Sequence, residues 1–275
     1  MRKTDCLAEK KRQGVPIAVL TAYDAPTAGA LAAAGVDVLL VGDSVGTNLL
    51  GYASERDVTL ADMCHHVGAA RRGAPKALII GDLPYRTYET AAMALESARQ
   101  LVAAGADIVK FEGARPEIAE ALAGASFEVC GHIGLEPQHH EDKRLKGRLA
   151  EEARRLLEEA LALQRAGIGL LILELIPEEV AGSLTEMLKI PTIGIGAGRK
   201  TNGQVLVITD MLGFTEKNFR HNKRYQDFGR LMGEAARDYA RDVRDGHFPA
   251  ETNVFHMDTE ELAAFEGRAV PSNSS

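Results

Sequence analysis

The sequence has little cysteine, no long apolar run and no excess of basic charge, and each shortage removes a class of protein. Cys6, Cys64 and Cys130 are scattered and odd in number, which argues against a disulfide framework and for a reducing, cytoplasmic setting. The opening stretch MRKTDCLAEKKRQG contains no apolar core of signal-peptide length. The most apolar region, Ala28 to Gly42, is rich in alanine and glycine, carries Asp37, and is too short to span a bilayer. A formal charge of −7 argues against nucleic acid as the main partner, because neutralising phosphates takes a basic surface. The expectation is a soluble cytoplasmic protein without a membrane partner. Its 275 residues, 45% hydrophobic and 26% charged, suffice for a sizeable core.

What is present is a repeated pattern. An alanine-rich amphipathic helix ends at a glycine, and a short apolar strand follows almost at once. The joins read AAAGVDVLLVGD, RRGAPKALIIGD, AAGADIVKFEG, LAGASFEVCGH and RAGIGLLILEL. Glycine just past a helix is the common left-handed stop. Strands alternating with helices through short joins imply parallel strands and right-handed crossovers. The pattern predicts strands over 16–23, 36–43, 77–83, 107–113, 127–133, 169–175, 192–197 and 204–209. That count predicts a (β/α)8 TIM barrel, with a doubly wound open sheet as the competing fold. A short helix near Thr4–Gln13 is expected to close the bottom. Tyr225, Phe228, Leu231, Met232, Ala235, Tyr239 and Val243 keep helical spacing before Gly246. Residues 1–257 are read as a single catalytic barrel and 258–275 as a partly disordered tail.

In such a barrel the active site lies at the C-terminal strand ends. Those ends carry Tyr23-Asp24, Asp43-Ser44, Asp82, Lys110 with Glu112, His132, Glu174, the GIGAG turn at 194–198, and Asp210. Any one of these aspartates reads equally well as the N-cap of the next helix. Their convergence at one mouth reads as a site. Asp43, Asp82 and Glu112 suit a hard divalent ion such as Mg2+. Lys110, two residues before Glu112, shares its strand face and can anchor a substrate carboxylate. Glu174 lies in LLILELI, where desolvation would raise its pKa and fit it as a general base, unless it pairs with a structural cation. GIGAG reads either as a phosphate cradle or as a tight turn. CHH at 64–66 diverges around a helix and is not expected to share a metal, and HHED at 139–142 reads as a solvated charge run.

Together TAYDAPTAGALAAAGVDVLLVGDSVG, VTLADMCHHVGAARRGAP, GDLPY, GADIVKFEG, CGHIGLEPQ, LLILELIPEEVA and IPTIGIGAG resemble the ketopantoate hydroxymethyltransferase family, from about residue 4 to GHFPAETNVFHM near 257. The resemblance implies a barrel of the phosphoenolpyruvate/pyruvate superfamily that assembles as a homo-oligomer, a decamer in typical members. It implies Mg2+ on Asp43, Asp82 and Glu112. Ser44, Lys110 and His132, with the metal-side Asp43 and Asp82, would face the 2-oxo acid, and Glu174 would accept the proton. The implied reaction carries a one-carbon unit from 5,10-methylenetetrahydrofolate to 3-methyl-2-oxobutanoate, giving 2-dehydropantoate for pantothenate synthesis.

Two stretches depart from the family pattern. GLEPQHHEDKRLKGRLAEEA is shorter than the usual loop after strand five, and GYASERDVT lacks the usual small-residue and threonine pattern. The alternatives these leave open are a paralogue using a different 2-oxo acid, a C–C lyase of the same superfamily, and a non-catalytic barrel that binds a 2-oxo acid. No direct folate signature is present.

Overall fold

A computed structural model of the chain describes residues 3–139, 144–215 and 219–267. Eight parallel strands close into a barrel in sequence order: β1 (Ile17–Thr21), β2 (Val38–Val41), β3 (Leu78–Asp82), β4 (Ile108–Lys110), β5 (Val129–Gly134), β6 (Leu170–Glu174), β7 (Thr192–Ile195) and β8 (Gly203–Leu206). Closure of β8 onto β1 excludes the doubly wound open sheet. The helices are α1 (Asp5–Gln13), α2 (Ala25–Ala33), α3 (Leu60–Gly73), α4 (Ala91–Ala104), α5 (Pro116–Gly124), α6 (Ala150–Arg165), α7 (Glu178–Met187), the short α8 (Ile208–Met211), α9 (Phe228–Arg244) and α10 (Thr259–Phe265). The chain divides into two compact units, residues 1–226 and 227–275. The second holds α9 and α10, and Phe228, Leu231, Met232, Tyr239 and Val243 of α9 are exposed. No helix of the described residues is long and apolar enough to cross a membrane. The expected tail from 268 onward lies outside the described residues.

The barrel unit has two apolar cores because strand side chains alternate. Val38, Leu40, Leu170 and Ile172 fill the barrel, whereas Leu39, Val41, Leu171 and Leu173 face the helices. Leu7 of α1 joins the inner cluster, so the predicted N-terminal helix does plug the barrel. Helix starts follow local chemistry. Thr59 and Asp62 form a reciprocal capping box on α3, and the Asp24 carboxylate caps α2 by accepting from Thr27 N–H at 2.7 Å. Arg71 ties the end of α3 to the start of β4, donating to Gly105 O at 2.8 Å and to Asp107 Oδ2 at 2.5 Å.

Predicted and observed strand ends differ by up to three residues, most at β4 and β8. β4 stops at Lys110, yet Phe111 and Gly113 still donate to Cys130 O and His132 O at 3.3 and 2.9 Å, which holds Glu112 in strand-like register. β8 stops at Leu206, so Asp210 lies in α8 rather than at a strand end.

Gly134 ends β5 at φ +107°, and an added Cβ would lie 2.2 Å from Glu174 O. Backbone cannot yield as a flexible side chain can, so β6 would have to move. Gly134→Ala is expected to cost about 2–4 kcal/mol, combining overpacking with left-handed strain. Urea denaturation checks this, and a loss below about 1 kcal/mol would mean that β5 and β6 separate freely.

Candidate active site

Strand parity decides most of what meets at the mouth. After Leu170 and Ile172 the next inward position on β6 is Glu174, and Ile80 on β3 is followed by Asp82. Ile108 on β4 leads to Lys110 and Glu112, and Cys130 on β5 leads to His132. Asp43 does not follow this parity. The inward position after Leu40 is Gly42, where a Cβ would sit 3.3 Å from Ser44 Oγ and 3.8 Å from Asp82 Oδ2. Bonds from Val45 N–H to Gly42 O and from Gly46 N–H to Asp43 O then turn the chain, bringing Asp43 to the same cup.

One oxygen each of Asp43, Asp82 and Glu112 lies within 4.8 Å of the others, and all three residues are buried. Lys110 Nζ donates to Asp82 Oδ2 at 2.5 Å and lies 3.7 Å from Glu112 Oε1. His132 stands between two acids, with Nδ1 3.3 Å from Glu112 Oε1 and Nε2 3.2 Å from Glu174 Oε2. These are ion-pair distances at which neither ring nitrogen makes a well-directed hydrogen bond. Ser44 Oγ shares a 2.8 Å hydrogen bond with Tyr23 Oη. A cavity of about 340 Å³ connects these groups, and Asp210, Phe219, Arg220 and His221 also line it.

The charges are unevenly distributed. Burial, then Asp82 and Glu112, push the Asp43 carboxyl well above its ordinary range. Burial also raises Asp82, against the pull of Lys110. Burial pushes Glu112 up too, but His132 and Lys110 outweigh it and hold Glu112 at about 2. Burial and Lys110 would lower His132, yet Glu112 and Glu174 raise it to about 9. Lys110 is raised despite its burial, because Asp82, Glu112 and Asp43 surround it. Three carboxylates thus share too little positive charge. Asp82 Oδ1 is buried without a partner. A hard divalent ion fits this oxygen-donor set, would give that orphaned oxygen a partner, and would relieve the like-charge repulsion.

Glu174 differs from the apolar setting its sequence suggests. Leu171 and Leu173 face the helices, so the hydrophobic run does not wall in the carboxylate, which keeps 18% exposure. Leu175 follows at φ +46°, a left-handed turn that ends β6 there. Other strand-end candidates are structural. Asp24 is a helix cap. In CHH, His66 Nδ1 meets Tyr23 O at 2.6 Å, and the three residues form no metal cluster among the described residues. GIGAG is a tight turn: Arg199 N–H, which a phosphate cradle would offer to an anion, donates instead to Glu178 Oε2 at 2.7 Å. In HHED only His139 is described, and 140–143 lie outside the described residues.

Sequence reading missed Gln138 and Tyr88. Gln138 is wholly buried, donates from Nε2 to Asp43 Oδ2 at 2.8 Å and from its backbone N–H to Glu112 Oε2 at 3.0 Å, and accepts from Tyr88 Oη at 2.5 Å. Its signal was the Gln that closes GLEPQ, which reads as loop because nothing local marks it as buried.

A family model for ketopantoate hydroxymethyltransferase matches residues 2–251. The chain belongs to that family. It is 47% identical over 268 residues to the 3-methyl-2-oxobutanoate hydroxymethyltransferase of Chloroflexus aurantiacus, covering 95% of each chain. To the enzyme of the same name from Thermus thermophilus it is 46% identical over 253 residues, covering 90% of this chain and 97% of that one. Among solved structures, phosphonopyruvate hydrolase in complex with oxalate and Mg++ aligns at TM-score 0.60 and 13% identity, over 97% of this chain and 95% of that one. A 2,3-dimethylmalate lyase, a member of the PEP mutase/isocitrate lyase superfamily, aligns at TM-score 0.59 and 15% identity, over 96% and 94% of the chains. These two likenesses concern the fold. As a member of the hydroxymethyltransferase family, the chain is an enzyme.

Lys110 is the internal cation of the cluster, and it and Asp82 are almost wholly buried. Lys110→Met is expected to cost about 3–5 kcal/mol in EDTA, because it leaves buried carboxylates uncompensated. Chemical denaturation measures this, and a loss under about 1 kcal/mol would show that Lys110 does not neutralise them.

Proposed function

We propose that the chain transfers a hydroxymethyl group from 5,10-methylenetetrahydrofolate to 3-methyl-2-oxobutanoate, with Mg2+ on Asp43, Asp82 and Glu112. The observation that carries this reading is Glu174, a carboxylate facing the cavity from β6 and linked through His132 to the acid cluster. The 46–47% identical relatives bear the name of that activity. Asp43, Asp82 and Glu112 would hold the divalent ion, which would supply Lewis acidity to the keto group and so make the C3 proton easier to remove.

The chain's own groups do the rest. Lys110 donates from Nζ to Asp82 and lies within ion-pair distance of Glu112, and from its place on the cavity lining it would offer its charge to the acid's carboxylate. The Ser44 hydroxyl, oriented by Tyr23, is a second polar contact for it. Glu174 accepts the C3 proton as the C–H bond breaks, and His132 holds that carboxylate in place. Water adds to the methylene carbon and both of its bonds to folate nitrogens break, each nitrogen keeping the bonding electrons and taking one of the two water protons, so that the carbon is delivered at the formaldehyde level. The electron pair released at C3 forms the bond to that carbon while its C=O π pair passes to oxygen, which takes the proton that Glu174 had accepted. Tetrahydrofolate and 2-dehydropantoate result. We place the reaction in the cytoplasm and in a homo-oligomer, a decamer by family resemblance. The exposed apolar side chains of α9 are consistent with assembly, and light scattering reads the mass.

A panel of 2-oxo acids, each assayed with methylenetetrahydrofolate and Mg2+, tests the acceptor. Preference for 3-methyl-2-oxobutanoate supports the proposal, and turnover of a different acid alone moves the chain to another substrate.

Two variants divide the machinery. Asp82→Asn should lose Mg2+-dependent binding of the 2-oxo acid while the fold survives, read by calorimetry with and without EDTA. Unchanged binding would remove the metal from the site. Glu174→Gln keeps shape and hydrogen bonding but cannot accept a proton. It should bind acid and Mg2+ normally, yet lose roughly a hundred- to ten-thousand-fold in folate-independent exchange of the C3 proton with deuterated water. Exchange at the wild-type rate would pass the role of base to His132.

A further inference from the structure

All of the hydrogen-bonding groups of Gln138 are engaged. Its side-chain amide donates from Nε2 to Asp43 Oδ2 at 2.8 Å and to Leu83 O at 3.1 Å, and its Oε1 accepts from Tyr88 Oη at 2.5 Å. The backbone N–H donates to Glu112 Oε2 at 3.0 Å, and the backbone carbonyl accepts from Arg56 Nε at 2.8 Å. Chemistry fixes the direction of the amide. Turned over, Oε1 would face Leu83 O, which has no hydrogen to give, and Asp43 Oδ2, which has none in the ionised form that holds a cation. One residue therefore engages an oxygen of each of two carboxylates, while the other oxygen of Glu112, Oε1, faces Lys110 and His132 at 3.7 and 3.3 Å.

The framework around it draws on three loops. Arg56 lies in the turn Glu55–Asp57 after β2, within the stretch that departs from the family pattern, and its guanidinium lies 5.4 Å from the centre of the Tyr85 ring. Tyr88 follows β3 and is buried beside Phe111, its ring centre 6.0 Å away. Gln138 follows β5. Side chains locked this way hold their partners in place because their own rotamers are fixed by packing and by bonds they cannot exchange for water.

We propose that Gln138, oriented by Tyr88, is a positioning residue that fixes the orientation of the Asp43 carboxylate toward a divalent ion. The proposal rests on the metal reading given above. Groups in this outer layer typically govern metal affinity ten- to a hundred-fold without touching the ion. Gln138→Met removes both side-chain roles. Tyr88→Phe is the gentler change, because it keeps the ring in the core and removes only the donor that orients the amide.

The full-length chain, stripped with EDTA, is titrated with Mn2+ and Mg2+ by calorimetry, and bound Mn2+ is followed by electron paramagnetic resonance. Gln138→Met should bind both ions about ten- to a hundred-fold more weakly. Tyr88→Phe should move in the same direction by a smaller factor with a thermal midpoint close to wild type. Saturating Mg2+ should restore much of kcat in Tyr88→Phe, a rescue that a merely structural lesion does not show. Should Gln138→Met fail to fold, Tyr88→Phe decides alone. Wild-type affinity in Tyr88→Phe, and in Gln138→Met if it folds, overturns the proposal while the metal reading stands. No binding by the wild type overturns the metal reading and this proposal with it.

Discussion

Repulsion among Asp43, Asp82 and Glu112 is the constraint around which the barrel mouth is organised. With their oxygens inside a 4.8 Å span and nearly no solvent to screen them, three full charges are tenable only with positive charge close by. Lys110 supplies part of it from the strand that carries Glu112, and His132 adds more from the next strand. Among the described residues Asp43 has one side-chain hydrogen bond, from Gln138, and burial together with Asp82 and Glu112 pushes its carboxyl well above its ordinary range. The cluster therefore carries more negative charge than its nearby cations offset. A scaffold shaped only for stability would replace such acids with apolar side chains. This one keeps them, and surrounds them with a filled apolar interior that cannot rearrange to let them separate.

How much of this could be read from the chain depends on how local the cause is. Asp82, Lys110, Glu112, His132 and Glu174 were legible because strand alternation extends past the last apolar residue, and a count of two finds each one. Asp43 was legible as a strand-end acid, but its approach to the cup depends on Gly42 occupying the inward position and on the turn that follows. Gln138 was not legible. It gains its meaning from Tyr88 fifty residues earlier and Asp43 ninety-five residues earlier, and no local periodicity encodes such a meeting. The hydrophobic letters around Glu174 gave the opposite error. They suggested a dry carboxylate, whereas adjacent strand residues point to opposite faces, so Leu173 keeps β6 against its helices and leaves Glu174 at the mouth.

The fold was legible for the same reason. Glycine after each alanine-rich helix and a short Val/Ile/Leu run fix alternation, and parallel alternation repeated eight times leaves a closed barrel as the compact solution. Strand ends were less so, because Glu112 is held by bonds to β5 rather than by its own sequence, and Asp210 belongs to a helical turn that a strand pattern overruns. The family relationship agrees with this division. Its likeness to solved structures at 13–15% identity lies in the architecture, and its 46–47% identity to the named enzymes extends to nearly the whole chain.

Leu7 of α1, together with Ile17, Val38, Leu170 and Ile193, fills the barrel beneath the cup, so the cavity has a floor. Among the described residues, then, the acids are closed off from the far end of the barrel. On the function proposed above, where two reactants of unequal size share the cavity, the small keto acid would have to settle at the floor before the bulky folate, and the spent folate would have to depart before the new acid. A steady-state pattern of compulsory order would then follow from the plug at the far end of the barrel.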